Sequence, residues 1–170
     1  MVFSYYNRLS KQQKKIYRES DKVSVIRLST IRGCKTRIKN IETALKQEDR
    51  VKTEIACREL IQKLISIFDI PPVRIKVFSA RPHDEWGELH GLYTTAEGRK
   101  QALINVWMRT AKKHKVVAFR SFLRTVLHEL CHHLDYVYLH LEDSFHTEGF
   151  YKRESSLFHQ LVSQKTVSKK

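Results

Sequence analysis

A chain of 170 residues with 41% hydrophobic content is long enough to bury a core as one domain, and its 5 Gly and 3 Pro favour a helix-rich fold. No apolar run approaches the roughly 20 residues needed to span a bilayer. The basic N-terminus lacks the apolar stretch of a signal peptide, and Cys34, Cys57 and Cys131 form no C-x-x-C pair. A membrane span, a disulfide framework and a Cys-rich zinc ribbon are therefore not expected, and a soluble cytoplasmic protein is. The net charge of +14 attracts nucleic acid, anionic membrane or acidic protein. No base-recognition motif accompanies it, so nucleic acid, as a possible partner through the basic surface, would be held mostly by its phosphates.

Period and punctuation give the elements in chain order. Residues 3–19 read as a short helix anchored by Tyr6, Leu9, Ile16 and Tyr17. Residues 23–28 fit a strand or an extended connection, and Gly33 interrupts the chain. From 36 to 68 no breaker occurs, and Ile38, Ile41, Leu45, Leu60, Ile61, Leu64 and Phe68 recur at helical spacing. The polar stretch 47–52 offers a place to split this into two helices, and Pro71-Pro72 ends it. Val73, Ile75 and Val77 alternate through a strand at 73–79. Strands at 86–95 and 101–108 flank a turn at Ala96-Glu97-Gly98. His83, Asp84 and Glu85 read as a polar loop without assigned chemistry, and Trp86 and Trp107 as core or cleft wall. A helix at 117–139, a polar loop at Glu142-Asp143-Ser144, a helix from 147 to 163 and a disordered tail over 164–170 complete the chain.

The helix at 117–139 contains His128-Glu129-Leu130-Cys131-His132, an H-E-x-x-H motif. Residues four apart share a helix face, so both imidazoles can hold one zinc ion, and Glu129 is placed as the general base that takes a proton from water on that ion. At 100° per residue, Ser121, Thr125, His132 and Asp135 fall within about 60° of His128. Phe119, Leu123, Val126, Leu127, Leu130, Leu134 and Val137 form the opposite, apolar face, which is expected to be buried. Cys131 points toward the core side. Asp135 reads equally as an ordinary surface residue or as one that orients an imidazole.

Catalytic zinc usually takes three protein ligands and a water. His146 is the expected third ligand. It follows the polar loop, begins the next helix and precedes Phe150, which can anchor that helix on the core. His140, Glu148 and Glu154 are the alternatives. His133 points about 100° away from His132 and reads as a surface or supporting residue.

The chain resembles the SprT-like (Spartan-like) zinc metallopeptidases. The resemblance is carried by His128-Glu129-Leu130-Cys131-His132, by His146-Thr147-Glu148-Gly149-Phe150, and by the strands that precede the helix; it covers about residues 70–160. It implies His128, His132 and His146 as zinc ligands, Glu129 as catalytic base, and an edge strand beside the cleft that pairs with an extended substrate. Residues 101–107 match that strand's position. The expected fold is α+β: a compact zincin-like domain with N-terminal helices over 1–69 and a core over 70–163. That core holds a small three-stranded, mainly antiparallel sheet, the motif helix and a C-terminal helix. The expected function is a zinc-dependent endopeptidase acting on a protein or peptide, with Tyr136, His133 and Tyr151 as candidate oxyanion donors. A nucleic-acid-binding protein on a zincin scaffold, a metal-stabilised structural domain and an ImmA/IrrE-like repressor-cleaving peptidase are the competing readings.

Overall fold

The computed structural model of the protein describes residues 3–84 and 87–162. Trp86 and the tail over 164–170 lie outside the described residues. A 3-10 helix, Ser4–Arg8, is followed by α1 (Lys11–Lys22), α2 (Cys34–Lys46) and α3 (Arg50–Phe68). The strands β1 (Val73–Ala80), β2 (His83–Asp84), β3 (Gly87–Glu88), β4 (Gly91–Thr94) and β5 (Ala102–Arg109) come next. The helices α4 (Phe119–Val137) and α5 (Glu148–Val162) complete the α+β fold. Among the described residues no helix is long and apolar enough to cross a membrane.

Capping explains the helix boundaries. The single helix expected at 3–19 is broken at Ser10, whose hydroxyl accepts from Gln13 N while its own N–H donates to Gln13 Oε1, closing a capping box that starts α1. Residues 23–28 are extended without strand pairing. The expected split at 47–52 occurs where Glu48 turns left-handed (φ 55°) and Asp49 caps α3 through Lys52 N at 2.9 Å. Asp69, also left-handed, ends α3 just before Pro71-Pro72.

The sheet departs from the mainly antiparallel expectation. It is mixed, in the order β1-β5-β4: β1 runs parallel to β5 (Val73↔Ala102), and β4 antiparallel to it (Gly91↔Val106). The turn after β4 folds it directly back on β5, whereas the long segment between β1 and β5 allows the crossover that a parallel pair needs. His83 and Asp84, expected in a loop, form β2 and pair with β3 as a separate antiparallel ribbon, while Glu85 lies outside the described residues. β5 is consequently central, so residues 101–107 are not an edge strand. The edge beside the motif helix is β4. The opposite edge, β1, is covered by α3, since Val77 N–H donates to Glu54 and Val77 O accepts from Arg50.

One face of the sheet (Val73, Ile75, Val77, Ala102, Ile104, Val106, Met108) packs with apolar residues of α2, α3, α4 and α5 into one buried cluster that includes Cys131 and Phe150. Trp107 is neither core nor cleft wall. It lies half-buried on the other face, stacked on Phe78 with ring centroids 5.7 Å apart.

Candidate metal centre

No Gly or Pro interrupts α4, and Leu123, Val126, Leu127, Leu130 and Leu134 pin it to the core along one face. The opposite stripe opens onto a cleft of about 760 Å³ lined by Thr125, His128, Glu129 and His132 from α4 and by the whole of β4. His146 reaches the same cleft from the loop before α5. Thr147 caps that helix through Phe150 N at 2.9 Å, and the buried Phe150 ring lies 4.9, 4.7 and 5.2 Å from those of His128, His132 and His146.

The three imidazoles expected as ligands are brought together as a group that could hold a metal ion. His128 Nδ1 lies 2.9 Å from Glu154 Oε2, an acceptor when ionised, so that nitrogen carries the proton and Nε2 the lone pair. His132 Nδ1 lies 2.7 Å from Ser144 Oγ. Ser144 spends its hydroxyl proton on Asp135 Oδ2 at 2.7 Å, so its oxygen accepts from His132, again leaving a lone pair on Nε2. Both Nε2 atoms stand 3.0 Å from Nε2 of His146. One proton on His146 cannot serve two lone pairs at once, whereas a cation at their focus serves all three nitrogens. Tetrahedral zinc with Zn–N near 2.0–2.1 Å would separate its nitrogens by about 3.3 Å, close to the spacing here.

Electrostatics favours neutral, ligating imidazoles. Burial, reinforced by the charge of His128, lowers His132 to about 3 and His146 to about 4, so both stay unprotonated at neutral pH. Glu129 is only 5% exposed. Burial raises its carboxyl to about 7, against the opposing pull of His128 and of a hydrogen bond from the Tyr93 backbone N–H. β4 lies so close that a Cβ on Gly91 would overlap the Glu129 carboxylate.

The other expected residues separate clearly. Glu154 supports His128 through its Nδ1 face. Glu148 forms an ion pair with Lys152 at 2.7 Å, and His140 is exposed after the end of α4. His133 is not on the surface. It is 1% exposed, donates from Nε2 to Pro71 O at 2.8 Å and accepts at Nδ1 from the Tyr93 hydroxyl at 3.0 Å, which removes it as an oxyanion donor. Asp135 is fully buried rather than on the surface, and touches His132 through Ser144. Tyr136 lines the cleft, whereas Tyr151 stacks on the His146 ring at 5.7 Å. Sequence reasoning did not find Gly91, Tyr93 or Ser144. Their sequence signals, a glycine and a tyrosine within an expected strand and a hydroxyl in a polar loop, are too common to single them out. Compared with known proteins, the chain matches no family model, no curated protein and no solved structure.

Proposed function

We propose that this protein is a zinc-dependent endopeptidase in which His128, His132 and His146 hold the ion and Glu129 is the general base. The observation that carries this reading is the meeting of three Nε2 atoms, two of them with lone pairs fixed by partners at Nδ1, beside a buried carboxylate on the same cleft. A zinc ion held there supplies Lewis acidity, activating water and polarising a peptide carbonyl. The protein's own part is acid–base: Glu129 accepts the water proton and passes it to the departing amine.

The strand β4 supports a peptide substrate. Among the described residues it pairs with β5 alone, and all four of its residues line the cleft, so an extended chain can add to its other edge. The likeness to the SprT-like peptidases rests on the motif residues themselves. A second reading, nucleic-acid binding on this scaffold, draws on the net charge of +14.

Glu129→Gln tests the proposal. Peptide cleavage should fall by about 10²–10⁴-fold, the usual contribution of a positioned acid–base group, while zinc content and any nucleic-acid affinity stay unchanged. His146→Ala should lose most of the zinc. Cleavage that survives Glu129→Gln would refute the assigned base, and full zinc occupancy in His146→Ala would move the third ligand elsewhere.

A further inference from the structure

A fully buried ion pair lies behind the metal centre, and its cation is tied to the N-terminal helix. Arg153 on α5 and Asp135 on α4 are both 0% exposed. Arg153 donates to Asp135 Oδ1 from Nε at 3.1 Å and from Nη2 at 2.7 Å, with Asp135 Oδ2 2.8 Å from Nη2. Its remaining donors go to the end of α1: Nη1 to Ser20 O and Val23 O, both at 3.0 Å, and Nη2 to Ser20 Oγ at 2.9 Å. All five guanidinium N–H groups are thereby engaged. On the other side, Asp135 Oδ2 holds Ser144, and Ser144 holds His132 Nδ1, each at 2.7 Å. An unbroken polar chain thus runs from α1 through Arg153, Asp135 and Ser144 to His132. Buried ion pairs of this kind add little stability over apolar packing, whereas removing one partner leaves an uncompensated buried charge.

We propose that Ser144, Asp135 and Arg153 are positioning residues that fix the tautomer of His132, and that the docking of α1 is thereby a condition of tight metal capture. The logic follows the protons. With α1 in place, Arg153 pins both oxygens of Asp135. Asp135 then takes the hydroxyl proton of Ser144, and Ser144 can only accept from His132. The imidazole proton stays on Nδ1, and Nε2 is left as the ligand. Without the end of α1, Arg153 loses three acceptors, the Ser20 and Val23 carbonyls and the Ser20 hydroxyl, and Asp135 its fixed orientation. Ser144 is then free to donate to Nδ1, which moves the imidazole proton to Nε2, where it blocks coordination. A separate tie from the 3-10 helix that precedes α1, the Tyr5 hydroxyl to His146 O at 2.9 Å, acts on the third ligand. The inference rests on the metal-holding reading of the three histidines and not on peptide hydrolysis.

The test measures zinc affinity by competition with a chromophoric chelator, and the His132 tautomer by nitrogen-15 NMR of the metal-free protein. Ser144→Ala should weaken zinc binding by about 10–100-fold, as outer partners of metal ligands usually do, and should reveal an Nε2–H form of His132 with an unchanged circular dichroism spectrum. Ser144→Thr, which keeps the hydroxyl, should restore most of the affinity and the Nδ1–H form. Arg153→Lys keeps the charge but loses the fork, and should weaken zinc without adding to the loss in Ser144→Ala. Should Arg153→Lys fail to fold, Ser20→Ala takes its place: it should weaken zinc in the wild-type background and have no effect beside Ser144→Ala. Wild-type affinity and tautomer in Ser144→Ala would overturn the positioning role. An unaltered Ser20→Ala, or losses that add independently, would overturn the dependence on α1. A wild-type protein that binds no zinc would instead refute the metal reading on which the inference stands.

Discussion

Glu129 carries an electrostatic cost through its burial. Its carboxyl is raised from 4.5 to about 7, chiefly by burial. The folded protein therefore holds a proton between those two values that the unfolded chain has released. Relative to a neutral residue, its contribution to stability falls as pH rises from 4.5 to about 7, and the loss is complete above that. In chelator-treated protein, Glu129→Gln should equal wild type near pH 4.5 and become more stable at pH 8 by up to about 3 kcal/mol, read from urea denaturation. A difference that does not change with pH would remove burial as the cause. Gly91 sets the other half of the geometry. A methyl there would stand 2.8 Å from Glu129 Cγ and 2.9 Å from its Cδ, besides overlapping a carboxylate oxygen. Gly91→Ala should keep zinc and lose about 10–100-fold in cleavage rate, because a base displaced by even 1 Å acts poorly. Undiminished cleavage would show that β4 does not hold the carboxylate in place.

At the scale of elements, two close approaches build the site. β4 closes over α4 through Gly91, the Tyr93 backbone N–H and the bond from the Tyr93 hydroxyl to His133. The His133 ring in turn reaches Pro71 O, just before β1, so one buried imidazole joins α4 to both edges of the sheet. α5 meets α1 through Gly149, whose N–H donates to Asp21 Oδ1 at 2.8 Å. A Cβ on Gly149 would lie 2.8 Å from Asp21 C and Cα and closer still to its carbonyl oxygen. Because the obstacle is backbone, it cannot rotate away. Gly149→Ala should therefore destabilise the protein by about 1–3 kcal/mol, despite the better helix propensity of alanine. A gain in stability on urea unfolding would show that α1 and α5 can part without cost.

For the whole molecule, metal and proton compete with the fold at one place. His132 and His146 are lowered to about 3 and about 4, against 6.5 in an unfolded chain, by desolvation in the cleft and by the neighbouring His128. Between 6.5 and those values the unfolded chain binds protons that the folded, metal-free protein refuses. Their contribution to stability is whole above pH 6.5 and is lost as pH falls through about 4 for His146 and about 3 for His132. Metal-free wild type should lose stability on acidification through this window more steeply than metal-free His146→Ala, which lacks one of the two groups. Zinc at a thousandfold excess over its dissociation constant should add about 4 kcal/mol, seen at pH 7.5 as a melting temperature that falls on chelation. A melting temperature indifferent to chelator would show that the histidine cluster does not bind the ion in the folded state.

The sequence by itself determined whatever depends on near neighbours along the chain. The spacing of His128, Glu129 and His132 follows from helical pitch, and the apolar stripe of α4, the alternation in β1 and β5 and the break between α2 and α3 follow from local period and capping. His146 was legible because it stands at the end of a short polar loop, in reach of the motif helix, with Phe150 to seat the next helix. What only the tertiary structure decided are the pairings across long separations. These are the parallel run of β1 with β5, the choice of β4 rather than residues 101–107 as the edge by the cleft, and the burial of His133. The partners at each imidazole Nδ1, Glu154 for His128 and Ser144 for His132, belong with them. The physical reason is that a backbone's local period limits which face a side chain occupies, but not what it meets there. Strand order and hydrogen-bond partners are set by how the helices and sheet close on one core, and that closure brings together residues such as Ser20 and Arg153, separated by 133 positions.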